Sequence, residues 1–129
     1  MTRESKQAGA ELQRRMLGVV PSDHDPSTAP GFIAEFIEEH IFGELWQRPG
    51  IDLRTRSLCT IAAIVAGSYR DDALKNHVLG ALANGATQEE ILEVIVHTAV
   101  YAGLPVLGGS LRAAQEVFDG RWAAQLAGK

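Results

Sequence analysis

The sequence predicts an all-α protein of about six helices. Apolar residues recur every three or four positions in successive segments, which is the spacing of one helix face. Glycine and proline separate these segments, and no convincing run of alternating apolar and polar residues indicates a strand. At 129 residues the chain is long enough for one hydrophobic core but short for two, so residues 1–129 are expected to form a single domain.

The first helix is predicted from Glu4 to Leu17. Ala8, Leu12 and Met16 lie four residues apart and give it one apolar face. Gly18 follows directly and is expected to end the helix.

A second helix is predicted from Gly31 to Trp46, after a loop over Val19–Pro30 that contains three prolines. Its apolar stripe consists of Phe32, Ile33, Phe36, Ile37, His40 and Ile41. Pro49 disfavours a helical backbone at Arg48, so the helix should stop there.

The third helix is predicted from about Leu53 to Gly67, with Asp52 as its N-cap. Its body is apolar on nearly every side, which is typical of a central buried helix. Cys59 lies in this body and is interpreted as a small buried hydrophobe.

Three more helices follow. The fourth begins at Asp71 or Asp72 and ends at Asn84-Gly85. A capping box over Thr87–Glu90 opens the fifth, which Gly103-Leu104-Pro105 closes. The sixth is predicted over Val106–Ala127. The inward positions of the last two are Ile91, Val94, Ile95, Thr98 and Ala102, then Leu111, Ala114, Val117 and Phe118.

Composition excludes several classes of function. The net charge is −4 and no cluster of Lys or Arg stands out, which argues against nucleic-acid binding. No apolar run approaches the roughly 20 residues of a membrane span. The charged N-terminus lacks the apolar segment of a secretory signal, so a cytoplasmic protein is expected. One cysteine excludes an intrachain disulfide.

The segment Phe42–Asp52 is the most informative in the chain. It places Glu44, Trp46 and Arg48 within five residues, directly before Pro49-Gly50. On a helix, Glu44 and Arg48 would share a face and could pair. Polar groups at a helix end beside a forced turn suit the binding of a small anion. A surface ion pair followed by a turn is the alternative.

His77 lies on the predicted apolar face of the fourth helix, among Leu74, Val78 and Ala81. A hydrogen-bonded core histidine is one interpretation. The other is a proton donor or acceptor, because the pKa of histidine lies near neutrality. The histidines show no metal-ligand spacing.

Two further pairs are candidates. Arg54 and Arg56 open the third helix, where cations oppose the helix dipole, so at least one should have a carboxylate partner. That partner could belong to a substrate, to Glu44 or to a neighbouring subunit, and Arg56 is expected to be the more inward of the two. His97 and Tyr101 lie four residues apart and are expected to form a half-buried pair or to face a cavity.

The chain resembles the 4-carboxymuconolactone decarboxylase family along nearly its whole length. The segments that carry the resemblance are Gly9–Gly18, Gly43–Leu58, Asn76-His77, Asn84–Ile91, Tyr101–Pro105 and Glu116–Phe118. Gly43–Leu58 is the most specific of them.

The resemblance implies the all-helical fold shared with alkylhydroperoxidase D, assembled as trimers or hexamers. The redox branch of that superfamily carries Cys-x-x-Cys-x-x-x-His and a glutamate on the preceding helix. Here the two cysteine positions hold Arg70 and Ala73, and the glutamate position holds Ser57. Thiol peroxidase activity is therefore not expected, because it needs a pair of thiols.

The resemblance also implies a reaction, the decarboxylation of 4-carboxymuconolactone to 3-oxoadipate enol-lactone in aromatic-acid catabolism. After CO2 leaves, the electron pair delocalises through the double bond to the lactone carbonyl, so neither a metal nor an organic cofactor is expected. His77 is the expected proton donor, and Glu44 is expected to orient it or Arg48. The expected substrate contacts are Arg48, Arg56, Trp46 and Tyr101.

Two departures from the family pattern leave the substrate open. Val78–Leu82 and Val106–Ser110 are more apolar than the matching decarboxylase segments. An enzyme of the same fold that isomerises, cyclises or opens another lactone is one alternative. A helical oligomer that binds a ligand without turnover is the other.

Overall fold

The computed structural model describes residues 3–18, 25–67 and 71–128, and every regular element within them is helical. The predicted all-α class is confirmed. Part of the predicted Val19–Pro30 loop, including His24, lies outside the described residues, as does Arg70. None of the described helices has both the length and the apolar character needed to cross a membrane.

Seven α-helices are present in the described part of the chain. They are α1 (Arg3–Leu17), α2 (Ala29–Phe36), α3 (Leu53–Ala66), α4 (Asp71–Ala83), α5 (Gln88–Ala102), α6 (Leu107–Phe118) and α7 (Arg121–Ala127). A π-helical segment, Ile37–Phe42, extends α2, and short 3-10 turns cover Leu45–Gln47 and Leu104–Val106.

The chain divides into two compact units, one up to Leu53 and one from Arg54 onward. We describe each by itself as the first unit and the second unit. The single domain expected from chain length stays a prediction.

The first unit is built on close packing of α1 against the π-helical segment. Gly9 makes this approach possible, because a Cβ at that position would overlap the carbonyl oxygen of Glu38. The buried core of the unit consists of Leu12, Met16, Phe42 and Trp46.

The second predicted helix is wrong in two respects. The observed helix α2 begins at Ala29, two residues before the predicted start at Gly31, because the side chain of Thr28 caps it by accepting a hydrogen bond from the Gly31 N–H. It also changes to π-helical winding at Ile37, which shifts the face that later residues present. Part of the predicted apolar stripe is exposed, with Phe32, Ile33 and Phe36 at 60%, 49% and 41%.

The second unit has a core drawn from all five of its helices. The core residues are Ile61, Val65, Leu74, Val78, Ala81, Ala86, Ile91, Ile95, Ala113, Ala114, Val117 and Trp122. The predicted fully buried α3 is wrong for the single chain, because α3 buries only the face of Ser57, Ile61 and Val65. Cys59, predicted to be buried, is exposed.

The capping box predicted for α5 is confirmed. The Thr87 side chain accepts from the Glu90 N–H, and the Glu90 carboxylate accepts from the Thr87 N–H. The predicted sixth helix is wrong, because it is interrupted before α7. Gly120 adopts a left-handed backbone with φ 78°, which breaks the helical ladder there.

The C-terminal helix is tied to α4 and α6 through Trp122. The indole N–H of Trp122 donates to Asn76 Oδ1 at 3.0 Å, and Lys75 Nζ lies 5.0 Å from the centre of the ring. Lys75 also pairs with Asp71 and Glu116, and hydrogen bonds to these carboxylates raise the pKa of its ammonium group. This network fixes the helix that carries His77.

Candidate functional site

Trp46 belongs to the core of the first unit. Its side chain is 6% exposed, and its ring stacks on Phe42 with the ring centroids 5.4 Å apart. The helical backbone stops after Gln47, because Arg48 is extended with φ −69° and ψ 134° before Pro49. Arg48 is non-helical as predicted, but the predicted helix already ends at Phe42, and only a separate 3-10 turn over Leu45–Gln47 follows it.

Glu44 is paired with His40. The imidazole Nδ1 of His40 lies 2.6 Å from Glu44 Oε1, so the N–H of the ring donates to the carboxylate. The shared helix face predicted for Glu44 and Arg48 is wrong, because Glu44 leaves helical geometry at φ −125° and ψ −60°. His40 is the contact that sequence reasoning missed, although the four-residue spacing of His40 and Glu44 could have indicated it.

His77 lies on α4 in the second unit and is largely withdrawn from water. Burial lowers the pKa of its imidazole, because a low-dielectric surrounding disfavours the charged form. Its Nδ1 atom is buried and has no hydrogen-bond partner among the described residues. A buried polar atom without a partner carries a desolvation cost, which a bound ligand can relieve.

The two arginines at the start of α3 differ in their surroundings. Arg54 pairs with Glu90, the same carboxylate that closes the capping box of α5. The prediction that at least one of the two has a carboxylate partner is therefore confirmed for Arg54, and the partner is Glu90 of the same chain, which was not among the partners named from the sequence. Arg56 lies two residues further along α3 and is partly buried, as Arg54 is, so the expectation that Arg56 is the more inward of the two stays a prediction.

Ser57 occupies the position where the redox branch carries glutamate. It is fully buried, and its Oγ accepts a hydrogen bond from Asn84 Nδ2 at 3.0 Å. This neutral bond joins α3 to the C-terminal end of α4, the helix on which His77 lies.

Tyr101 is 82% exposed on α5, and its ring lies against His97 with the ring centroids 5.1 Å apart. The two rings pair as predicted, but the predicted half-buried environment is wrong, because both residues are exposed. In the single chain this ring is open to solvent, so Tyr101 would enclose a substrate only if a second surface lay over it.

A cleft of about 450 Å³ opens between α3 and α5 within the second unit. Sequence reasoning missed it because it treated Cys59 as part of a core. The residues that line it are Thr55, Leu58, Cys59, Ala62, Glu93, Val94, His97 and Thr98. A smaller cleft of about 280 Å³ in the first unit is lined in part by Arg15 and Gln47.

Comparison with known proteins places this geometry in a family. The model of the carboxymuconolactone decarboxylase family matches residues 33–116, which include all six predicted site residues. The chain belongs to the carboxymuconolactone decarboxylase family.

Two characterised relatives each match somewhat less than two thirds of the chain. A 4-carboxymuconolactone decarboxylase from Acinetobacter baylyi is 43% identical over 83 residues, which is 64% of this chain and 61% of that protein. Nitrosuccinic acid decarboxylase npaB from Metarhizium robertsii is 45% identical over 80 residues, 62% of this chain and 54% of that protein. The aligned part therefore spans little more than half of these relatives' length.

Proposed function

We propose that the protein is a decarboxylase that acts on a small dicarboxylic acid without an organic cofactor. Membership of the carboxymuconolactone decarboxylase family supports this proposal, as do the two relatives whose names state decarboxylation. The observation that carries it is His77, whose buried Nδ1 lacks a partner among the described residues.

The proposed substrates share an electron acceptor beside the carbon that loses CO2. In 4-carboxymuconolactone that acceptor is the lactone carbonyl, reached through a double bond. In nitrosuccinic acid it is the nitro group. Both compounds also carry a second carboxylate. We therefore propose an activated dicarboxylic acid as the substrate class, and 4-carboxymuconolactone in aromatic-acid catabolism as its first member to test.

The reaction needs three contributions from the protein. Two arginines, Arg48 and Arg56, hold the carboxylates through charge-assisted hydrogen bonds. The C–C bond to the carboxylate breaks, CO2 leaves, and the electron pair moves onto the acceptor oxygen. The carbon framework then takes a proton from His77. Tyr101 contributes apolar surface to the bound ring, whereas Trp46, predicted as a second such contact, is buried against Phe42 and supports the segment that carries Arg48.

The lowered pKa of His77 fits this order of events. In the free protein the imidazole is mostly neutral at pH 7, because burial disfavours its charge. A bound carboxylate near the ring would favour the protonated form and raise its pKa. The acid would then form only when the anionic substrate is present. Glu44, held by His40, is proposed to orient Arg48 from the first unit.

The direct test is CO2 release from 4-carboxymuconolactone and from nitrosuccinic acid by the purified protein, with loss of butenolide absorbance as a second readout for the lactone. Turnover of either acid supports the proposed class. Loss of absorbance without CO2 would indicate isomerisation or ring opening instead. Binding without any product would favour the non-catalytic oligomer.

We also propose that the protein assembles as a homo-oligomer, a trimer or a hexamer. Exposed Phe32, Ile33 and Phe36 on α2 support this, because adjacent apolar side chains on a surface favour burial against another chain. Light scattering coupled to size-exclusion chromatography tests it. A single species at 13.9 kDa would contradict it.

A further inference from the structure

The cleft between α3 and α5 differs from the proposed decarboxylation site in its residues. None of the six residues proposed for that site is among the described residues that line it. Its volume of about 450 Å³ lies within the range of roughly 300–1,000 Å³ that small-molecule sites occupy. Size alone therefore permits a bound molecule of one or two rings.

The walls of the cleft favour an apolar body. Leu58 and Ala62 from α3 face Val94 from α5 across it. The hydroxyl of Thr98, which also lines the cleft, donates to the carbonyl oxygen of Val94 at 2.7 Å. Its proton is engaged, so Thr98 can offer a ligand only an acceptor oxygen. A molecule with many polar groups would leave some of them unpaired here.

The charge of the lining disfavours anions. Glu93 contributes a carboxylate, and none of the described residues that line the cleft is a lysine or an arginine. A bound carboxylate would lie next to this like charge without a guanidinium or ammonium group to balance it. The cleft therefore has the opposite preference to a site for a dicarboxylic acid.

One rim of the cleft is aromatic. His97 lines it, and the His97 ring lies against the exposed ring of Tyr101. Flat rings add to such a pair by offset stacking. Cys59 on the opposite helix also lines the cleft and adds a small, polarizable hydrophobic side chain to its wall.

We propose that the α3–α5 cleft is a second ligand site, which binds a neutral aromatic molecule carrying a hydrogen-bond donor. The ring lies between Leu58, Ala62 and Val94, and the donor reaches the Glu93 carboxylate or the Thr98 oxygen. Acids of the substrate class are excluded from it by Glu93.

Cys59 provides a direct readout, since it is the single cysteine of the chain, is exposed and lines the cleft. The experiment measures the rate of Cys59 alkylation by iodoacetamide in the full chain, with 2-naphthol or 2-naphthoate as probe. The probes share one ring system and differ in charge. We expect 2-naphthol to slow alkylation roughly tenfold at ten times its Kd, by mass action. At the same concentration 2-naphthoate should have little effect.

Three variants test the cleft itself. Ala62→Leu places a larger side chain in the cleft and should abolish protection by 2-naphthol. Ala63→Leu is the matched control, because Ala63 is the exposed neighbour that does not line the cleft, and it should retain protection. Glu93→Gln removes the carboxylate and should allow 2-naphthoate to protect Cys59. Circular dichroism establishes that each variant is folded, and each variant is compared with itself with and without probe.

Three results would overturn the proposal. The first is equal protection by the two probes in the unsubstituted protein. The second is full protection by 2-naphthol in Ala62→Leu. The third is an alkylation rate that falls as the protein concentration rises and does not change with either probe. That result would assign the cleft to a contact between copies of the chain. The assay involves no turnover, so its result is independent of whether the protein decarboxylates anything.

Discussion

The two units each contain a described histidine with a distinct environment. His40 in the first unit is partly exposed, and its Nδ1 is bound by Glu44 at 2.6 Å. His77 in the second unit is largely buried, its pKa is lowered, and its Nδ1 has no partner among the described residues. The His40 ring is held by Glu44, whereas the buried Nδ1 of His77 is available to a ligand.

This difference suggests different roles for the two histidines, a supporting role for His40 and a chemical role for His77. A surface pair such as His40–Glu44 contributes little to folding and mainly holds a carboxylate in place. A buried imidazole without a partner costs stability, and proteins often keep such groups where a ligand binds. The comparison therefore predicts that His77 acts on the substrate and that His40 acts through Glu44.

The largest effect is expected from His77→Gln. Loss of a general acid lowers kcat by about 10²- to 10⁴-fold. The fold should persist, because Nδ1 of His77 makes no hydrogen bond to the described residues that the substitution could break. Steady-state kinetics with 4-carboxymuconolactone or nitrosuccinic acid measure the loss. His40→Gln is the matched control and should stay within a few-fold of the unsubstituted protein. Similar losses in both variants would contradict the distinction between the two rings.

The next largest effect is expected from Arg48→Ala and Arg56→Ala. A charge-assisted hydrogen bond contributes about 1.5–3 kcal/mol, which corresponds to a loss of roughly 10- to 150-fold in kcat/KM. The loss should fall mainly on KM if both arginines hold carboxylates. Arg54→Ala is the control on the same helix turn, because Arg54 already pairs with Glu90. A loss for Arg54→Ala as large as for Arg56→Ala would contradict the assignment.

Sequence alone predicted the parts of the fold that local chemistry decides. The capping box of Thr87 and Glu90 and the non-helical backbone at Arg48 are set by side chains a few residues apart. The interruption before α7 was missed, although Asp119-Gly120 is a dipeptide typical of turns and Gly120 takes the left-handed geometry there.

Other features depend on contacts between elements, which periodicity does not encode. Periodicity assigned the whole α2 stripe to a core, although part of it is exposed. It did not show that the close packing on Gly9 involves the π-helical segment Ile37–Phe42. A helix that is apolar on all sides is predicted to be buried, but the sequence does not show which surface covers each face. For this reason Cys59 was wrongly predicted to be buried.

The candidate site was predictable by residue type and resemblance rather than by geometry. His77 and the arginines were identified from their chemistry, whereas the partners of Glu44 and Arg54 were not. The spacing of His40 and Glu44 is compatible with pairing on any helix, and Glu90 is 36 residues from Arg54. A partner this far away in the sequence can be identified only from the three-dimensional structure.

A further test of the comparison is the pH dependence of kcat/KM. Burial lowers the pKa of His77 below its ordinary value near 6.5, so the protonated form is lost in the free protein as pH rises through that lowered pKa. We expect kcat/KM to fall about tenfold per pH unit above it. The break in kcat should lie at higher pH, because a bound carboxylate raises the pKa of the ring.

The same shift has a consequence for stability. The unfolded chain takes up a proton on this ring at higher pH than the folded protein, so the stabilisation is present above about 6.5 and is lost as pH falls through the lowered pKa. Proton NMR titration of the free protein measures the pKa of His77, whose imidazole resonance is assigned by its absence from the spectrum of His77→Gln. A pKa for His77 above its ordinary value would contradict the burial that defines it.

The smallest effect is expected from the His40–Glu44 pair itself. Both side chains are partly exposed, at 41% and 51%, and exposed pairs contribute about 0.2–1 kcal/mol. A double-mutant cycle with His40→Gln, Glu44→Gln and the combined variant, followed by urea unfolding, isolates the coupling between them. In the same variants, Glu44→Gln should lower kcat/KM more than His40→Gln, because the carboxylate is proposed to act on Arg48 and the imidazole only on the carboxylate. If His40→Gln has the larger kinetic effect, the imidazole itself contacts the substrate and the separation between the two histidines is wrong.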